Sequence, residues 1–251
     1  MRTTRLFHDT PLSADSAMTL DGTAAHYLGR VLRARVGHTL ELFDGSGQVF
    51  EASITALSRR EVSLAIGQSR PGLAPSPCRV TLWQALSRNE KMDWVMQKAV
   101  ELGVSALQPV TTEHSTAAPV DEKLGKRMAH WQAVIIGAAQ QCGRSELPAL
   151  GRPASLAAAP LAEADSLNVF AHPGAPVTLT DVLSDTTADS ITLAVGPEGG
   201  FSESDTAALR DRDFTAVSAG PRILRTETAA ISLLAAIQAA RGDWSRQHND
   251  R

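Results

Sequence analysis

Up to about residue 70, apolar and polar positions alternate in short runs. Leu40-Glu-Leu-Phe43 and Val49-Phe-Glu-Ala-Ser-Ile54 flank Asp44-Gly-Ser-Gly47, whose small residues accept turn geometry, so the segment predicts a β-hairpin. Val62-Ser-Leu-Ala-Ile66 predicts a further strand. Tyr27, Leu28, Val31 and Leu32 recur at helical spacing behind Thr23, which predicts a helix over 24–34 with Thr23 as its N-cap. Residues 1–70 therefore read as a small, mostly β domain. Arg70-Pro-Gly-Leu-Ala-Pro-Ser-Pro77 resists both helix and central strand, which places a linker at 71–77.

Beyond the linker the period changes. Arg79 to Leu86 predicts a buried strand, followed by a helix opening at Ser87. Ser87 and Glu90 have capping-box spacing, Met92, Val95, Met96, Ala99 and Val100 make one apolar face, and Gly103 supplies the stop. Val104 to Val110 then predicts a second strand, and further strands follow at Leu167–Ala171, Ile191–Val195 and Phe214–Ser218. Strand, helix, strand in this order is a βαβ unit, so residues 78–251 predict an α/β domain with a parallel sheet. The Ala- and Pro-rich stretch from Gly143 to Ser166 reads as a connecting loop with room for one short helix.

Composition leaves this picture unchanged: 43% hydrophobic and 20% charged residues are ordinary for a globular protein. No run approaches the ~20 apolar residues of a membrane span, and the N-terminus lacks the pattern of a secretory signal, so the expected location is the cytoplasm. Cys78 and Cys142 stand far apart, and His8, His38, His130 and His248 show no ligand spacing, so neither a disulfide framework nor a metal site is predicted. Charge does change the picture. A net charge of -3 opposes general polyanion binding and leaves only local basic patches: Arg30 with Arg33 and Arg35, Arg88 with Lys91, and Lys123 with Lys126 and Arg127. Each patch alone reads as a solvated helix face rather than a binding stripe.

Two loops carry the candidate chemistry. Leu193-Ala-Val-Gly-Pro-Glu-Gly-Gly-Phe-Ser202 is a buried strand running into a glycine-rich turn, then a helix with Ser202 and Asp205 at capping-box spacing. Ser218-Ala-Gly-Pro-Arg-Ile-Leu-Arg225 likewise leaves a strand and enters a helix near Thr226, apolar on nearly every side from Ala229 to Ala240. Ligands of α/β sheets bind beyond the carboxyl ends of strands, so both loops are candidate ligand loops. Neither has the Lys-Ser/Thr ending of a P-loop nor the G-x-G-x-x-G dinucleotide turn. Arg222, Arg225 and Glu227 flank the second loop, where an Arg–Glu ion pair holding the loop is the alternative to a catalytic role.

Gly196-Pro-Glu-Gly-Gly-Phe201 and Ile223-Leu-Arg-Thr-Glu-Thr-Ala229 resemble the two cofactor-loop motifs of the RsmE-type 16S rRNA uridine-N3 methyltransferases, members of the knotted SPOUT class. The resemblance extends in order through His26, Val31-Leu-Arg33, Lys91-Met-Asp-Trp94, Gln97 to Val104, Pro109, Thr112, Ser115, Trp131 and Ala138 to Arg144. His114, Gln140 and Ala219 depart from the family pattern, which usually has Arg, Glu and Leu there.

The resemblance implies an RNA-binding PUA-like first domain, a trefoil knot in the second, a homodimer, S-adenosylmethionine as cofactor and 16S rRNA as substrate. It implies that cofactor contacts come from Phe170, His172, Val195, Gly196, Glu198, Gly199, Gly200, Gly220, Ile223, Leu224, Arg225, Thr228 and Ala229. Uracil N3 carries a proton and is a weak nucleophile, so the family's reaction needs help in removing that proton or stabilising the resulting anion. Arg225 is the candidate for anion stabilisation, Glu227 for orienting it, and Glu198 for contacting cofactor or base. His26, Arg30, Arg33, Arg88, Lys91 and Arg144 are the candidates for holding the RNA backbone. A ribose 2′-O-methyltransferase of the same fold and a non-catalytic ribosome-assembly protein remain open alternatives.

Overall fold

A computed structural model describes residues 3–116, 118, 120–161 and 165–245, which divide into two compact units. The first comprises the chain up to Ala74 together with Ala139–Leu147, and the second comprises the rest.

The first unit is a five-stranded sheet of β1 (Arg5–Phe7), β2 (Ser16–Leu20), β3 (Thr39–Phe43), β4 (Gln48–Leu57) and β5 (Val62–Pro71), in the order β1-β3-β4-β5-β2. The predicted hairpin is β3–β4, paired Leu40 to Ala52 and Leu42 to Phe50. Its turn is set by Asp44, whose carboxylate accepts from the Ser46 amide and hydroxyl, with Gly45 and Gly47 at positive φ. Alternate residues Leu40, Leu42, Phe50, Ile54, Val62, Leu64 and Ile66 form one buried face. β5 continues to Pro71, so Arg70 and Pro71 belong to a strand, where Pro71 pairs with Gln48 at the sheet's end. The segment 139–147 was not foreseen as part of this unit. Gln140 accepts from the Phe7 amide at 2.9 Å, and Arg5 donates to the Arg144 carbonyl and the Ser145 hydroxyl.

The helix expected over 24–34 is shorter and of another kind. α1 (Gly22–His26) has Asp21, not Thr23, at its N-cap and no side-chain cap bond, and it passes into a π-turn over Tyr27–Val31. The wider turn breaks the i, i+4 register, so only Leu28 of the four apolar residues is buried, while Val31 is 60% exposed. Arg33 at φ 51 then ends the turn.

The second unit is built on a sheet in which every pairing is parallel. Its strands are β6 (Arg79–Ala85), β7 (Ala106–Thr111), β8 (Ala149–Leu150), β9 (Ala154–Ser155), β10 (Leu167–Ala171), β11 (Ser190–Val195) and β12 (Thr215–Val217), ordered β12-β10-β11-β6-β7-β8, with β9 also on β7. β8 and β9 lie within the stretch expected to be a connecting loop. Every residue of β11 is buried, as the centre of a sheet covered on both faces requires. The helices are α2 (Asn89–Glu101), α3 (Asp121–Cys142), α4 (Leu179–Ser184), α5 (Glu203–Arg210) and α6 (Thr226–Arg241).

All five predicted apolar positions of α2 are buried, and Gly103 follows the helix at φ 78. The Ser87–Glu90 capping box does not form. Arg88 is the N-cap, the helix starts two residues later than Ser87, and no side chain caps it. After β12 at the sheet edge the chain returns to the middle, where α6 packs on α2, α4, β6 and β11. No helix among the described residues is long and apolar enough to cross a membrane.

Candidate cofactor site

The two glycine-bearing loops meet because a buried hydroxyl ties them together. Thr226, the first residue of α6, donates from Oγ1 to the Gly196 carbonyl at 2.5 Å and accepts from Gln84 Nε2 of β6 at 3.0 Å. One side chain thus joins a sheet strand, the first loop and the helix after the second loop. The first loop is also fixed from beyond. Ser202 and Asp205 form the expected capping box at α5, and Asp205 further accepts from the Glu113 amide. Hydrogen bonds from the Ser202 and Ser204 hydroxyls hold the Glu113 carboxyl below its ordinary range, so this clamp persists at neutral pH. His114 Nδ1 lies 3.3 Å from the Gly200 carbonyl, and a Cβ on Gly199 would meet His114 Cβ at 2.9 Å. Gly199 is therefore required by packing against His114. Gly200 and Gly220, at φ 72 and 93, are required by backbone conformation.

Between the loops lies a cleft of about 570 Å³, within the range of small-molecule sites. Of the predicted cofactor residues, His172, Val195, Gly196, Glu198, Gly199, Gly200, Gly220, Ile223, Leu224, Arg225 and Ala229 line it. Phe170 and Thr228 do not. Phe170 is fully buried in a core cluster with Trp83 and Phe214, and Thr228 is exposed, because a residue two positions after Thr226 points away from the face Thr226 occupies. Leu233 and Val217 line the cleft without having been predicted, and Thr226 and Phe201 line it from within the two motifs without having been named as contacts. Thr226 could have been found as a hydroxyl at the first turn of a helix, whereas Leu233 is only one apolar residue among many in its helix.

Lys91, expected on the RNA side, sits in this cleft. Its ammonium is 3.0 Å from Glu198 and 3.5 Å from Glu227, bridging α2, the glycine turn and α6. Partial burial pushes the Glu198 carboxyl up, but hydrogen bonds from its own backbone amide and from Lys91, with the charges of Lys91 and Arg88, hold it below the usual range. Glu198 is thus a carboxylate at neutral pH and a weak base. The alternative ion pair between Arg225 and Glu227 does not form: Glu227 is paired with Lys91, and the exposed Arg225 is left facing the cleft. Glu227 is therefore not placed to orient Arg225.

The remaining RNA candidates fall in both units. His26, Arg30 and Arg33 are exposed on α1 and the π-turn, and Arg144 is half-buried in the same unit. Arg88 is exposed at the start of α2. Among the described residues there is no group of three or more His, Cys, Asp or Glu side chains able to hold a metal ion.

Val195, Val217, Leu224 and Leu233 give the cleft apolar walls, its charged lining is Glu198 with Lys91, Arg222 and Arg225, and neither loop has the lysine ending of a P-loop.

Residues 74–238 match the RNA methyltransferase domain family, and residues 20–67 match the RNA methyltransferase PUA domain. The ribosomal RNA small subunit methyltransferase E of a Synechocystis species is 31% identical over 90% of this chain and 74% of its own length. That of Buchnera aphidicola from Schizaphis graminum is 29% identical over 97% of this chain and 99% of its own. Among solved structures, a ribosomal RNA small subunit methyltransferase E from Neisseria gonorrhoeae, bound to S-adenosyl methionine, is 32% identical with a TM-score of 0.87, covering 97% of this chain and 100% of that one. A Legionella pneumophila protein solved with bound SAM is 36% identical, with a TM-score of 0.89 over the same shares. By domain content, by sequence along almost its whole length and by fold, this chain belongs to the ribosomal RNA small subunit methyltransferase E family.

Proposed function

We propose that the protein is an S-adenosylmethionine-dependent methyltransferase acting on N3 of a uridine in 16S rRNA, and that the cleft between the glycine loops holds the cofactor. Membership of the family supports the cofactor and the rRNA substrate. The observation that carries the base-directed chemistry is Arg225, an exposed cation on the cleft that Glu227 does not neutralise.

When bound, the cofactor supplies an electrophilic methyl carbon on a sulfonium. Gly196, Gly200 and Gly220, with Glu198, are the residues of the cleft that would hold it, the glycines through backbone groups and Glu198 through its carboxylate. Arg225 accepts the negative charge that develops on the uracil carbonyl oxygens as the N3 proton leaves, which makes N3 nucleophilic when it is held behind the methyl group. Proton loss goes to solvent or buffer in this scheme, since Glu198 is a weak base and Glu227 is tied to Lys91.

The homodimer and the trefoil knot belong to the same reading. The dimer is supported by Ile231, Ala235, Ala236 and Ala239, apolar residues outside the buried stripe of α6. The knot is supported by the return of α6 from the sheet edge to its centre. A cytoplasmic location belongs to the same reading.

Incubation with labelled S-adenosylmethionine and under-methylated small subunits, followed by digestion to nucleosides, tests the function. The expected product is 3-methyluridine. Label in a 2′-O-methyl nucleoside, or none at all, would refute it.

A further inference from the structure

The uncapped end of α2 opens onto a second cleft, of about 530 Å³, which shares no lining residue with the cofactor cleft. Two buried donors line it without partners among the described residues. Ser87 is 5% exposed and its Oγ makes no hydrogen bond, and Trp131 is 1% exposed with the same true of its indole Nε1. Leaving such groups dry and unpaired is costly, so buried polar atoms normally find partners. The absent capping box is what frees Ser87: its hydroxyl is not turned onto the helix, and the first amide donors of the thirteen-residue α2 also lack a side-chain acceptor.

Charge favours one sign of ligand. An indole N–H can only donate, and helix amides at an N-terminus attract anions. Arg88 and Arg127 line the same cleft, with the Arg127 guanidinium 5.6 Å from the Trp131 ring centroid and bonded to the Asn89 side chain. Lys123 and Lys126 continue the positive strip along α3 beyond Arg127. Glu90, exposed on the rim, opposes the arginines, and Glu122 pairs with Lys126.

We infer that this cleft is a phosphate-binding site, and that a backbone phosphate of the RNA chain fills it. Hydroxyl, indole, guanidinium and helix amides converge on one anion, and the lysines beyond it follow the path of a linear polyanion. The RNA source rests on the function proposed above, but the phosphate chemistry does not.

Two arms test it with Ser87→Ala, Trp131→Phe and Arg127→Gln. In the first arm, melting is compared in inorganic phosphate and in sodium chloride of equal ionic strength. Phosphate raises the melting temperature of the wild type and not of the variants, while Ser87→Ala without phosphate melts at or above the wild type because an orphaned hydroxyl is gone. In the second arm, KM for under-methylated subunits rises roughly tenfold or more, the scale of one hydrogen bond to a charged group, with kcat unchanged. The log–log salt slope of rRNA binding falls by about 0.7–0.9 for one lost phosphate contact. Glu90→Gln moves both readouts the other way. S-adenosylhomocysteine affinity, measured by calorimetry, stays constant throughout and reports separately on the cofactor site. Variants that respond to phosphate as the wild type does, with KM and slope unchanged, overturn the site. Loss of the phosphate response with unchanged rRNA binding overturns the RNA source and leaves free phosphate as the occupant. A wild type that does not methylate rRNA defeats the function proposed above, and the first arm still decides the site.

Discussion

Replacing Lys91 with Met keeps an apolar stem of similar length and deletes the charge that holds three elements together. At separations of 3.0 and 3.5 Å, each ion pair attracts by about 5 kcal/mol gross at an effective dielectric of ~20. Desolvation and side-chain entropy offset most of that. The Glu198 side chain is 40% exposed, so its pair contributes at most about 1 kcal/mol net. Glu227 is only 15% exposed, and stripping its partner leaves a half-buried carboxylate, which costs about 1–3 kcal/mol. A net loss of about 1–4 kcal/mol lowers the melting temperature by roughly 2–16 °C for a chain of this size.

The pH dependence has a definite sign. The Glu198 carboxyl is depressed in the folded protein, so its contribution is present above the ordinary carboxylate range and disappears as pH falls through the folded value. The gap between wild type and Lys91→Met is therefore wider at about pH 7 than at about pH 3, where protonation of Glu198 removes the charge that Lys91 pairs with. Adding Glu227→Gln to Lys91→Met recovers most of the loss. Differential scanning calorimetry at the two pH values measures both effects. An equal gap at both, with no recovery in the double variant, would mean that Lys91 acts through its stem alone and that the ion-pair bridge is energetically idle.

Arg225→Ala lowers single-turnover methylation by ~10² or more with S-adenosylhomocysteine affinity largely kept, and Arg225→Lys falls between, since the charge remains without the planar fork. Wild-type turnover in the Ala variant removes Arg225 from the chemistry. Thr226→Val deletes the hydroxyl joining Gln84 to Gly196 and leaves buried polar atoms unpaired, lowering stability by about 1–3 kcal/mol and weakening cofactor binding in calorimetry. An unchanged dissociation constant would show that the two loops keep their places without it. Gly199→Ala drives a Cβ to 2.9 Å from His114 Cβ, so it lowers the melting temperature, and His114→Gly in the same chain restores it. No restoration would place the strain elsewhere.

The sequence by itself determined the elements whose signals are local. Alternation along Leu40–Phe43 and Val49–Ile54 set a hairpin, the mainly apolar run from Ile191 to Val195 set a buried strand, and Ser202 with Asp205 set the start of α5, because each is decided by neighbours within a few residues. The motif residues of both glycine loops were likewise readable, and eleven of the thirteen predicted cofactor residues line one cleft. Tertiary structure decided the rest. Spacing made Ser87 and Glu90 as good a capping box as Ser202 and Asp205, yet the chain enters α2 through Arg88 and the Ser87 hydroxyl is buried unpaired. The periodicity of Tyr27 to Leu32 fitted an α-helix, yet the chain forms a π-turn over Tyr27–Val31, followed by the left-handed Arg33, that buries Leu28 alone. Lys91 read as a surface cation because Glu198 and Glu227, its partners, are more than a hundred positions away. Phe170 read as a cofactor contact and is core, because a strand's two faces look identical in sequence when both are covered. Pairing across such distances depends on which strands lie side by side, and a one-dimensional pattern of polar and apolar residues does not encode that order.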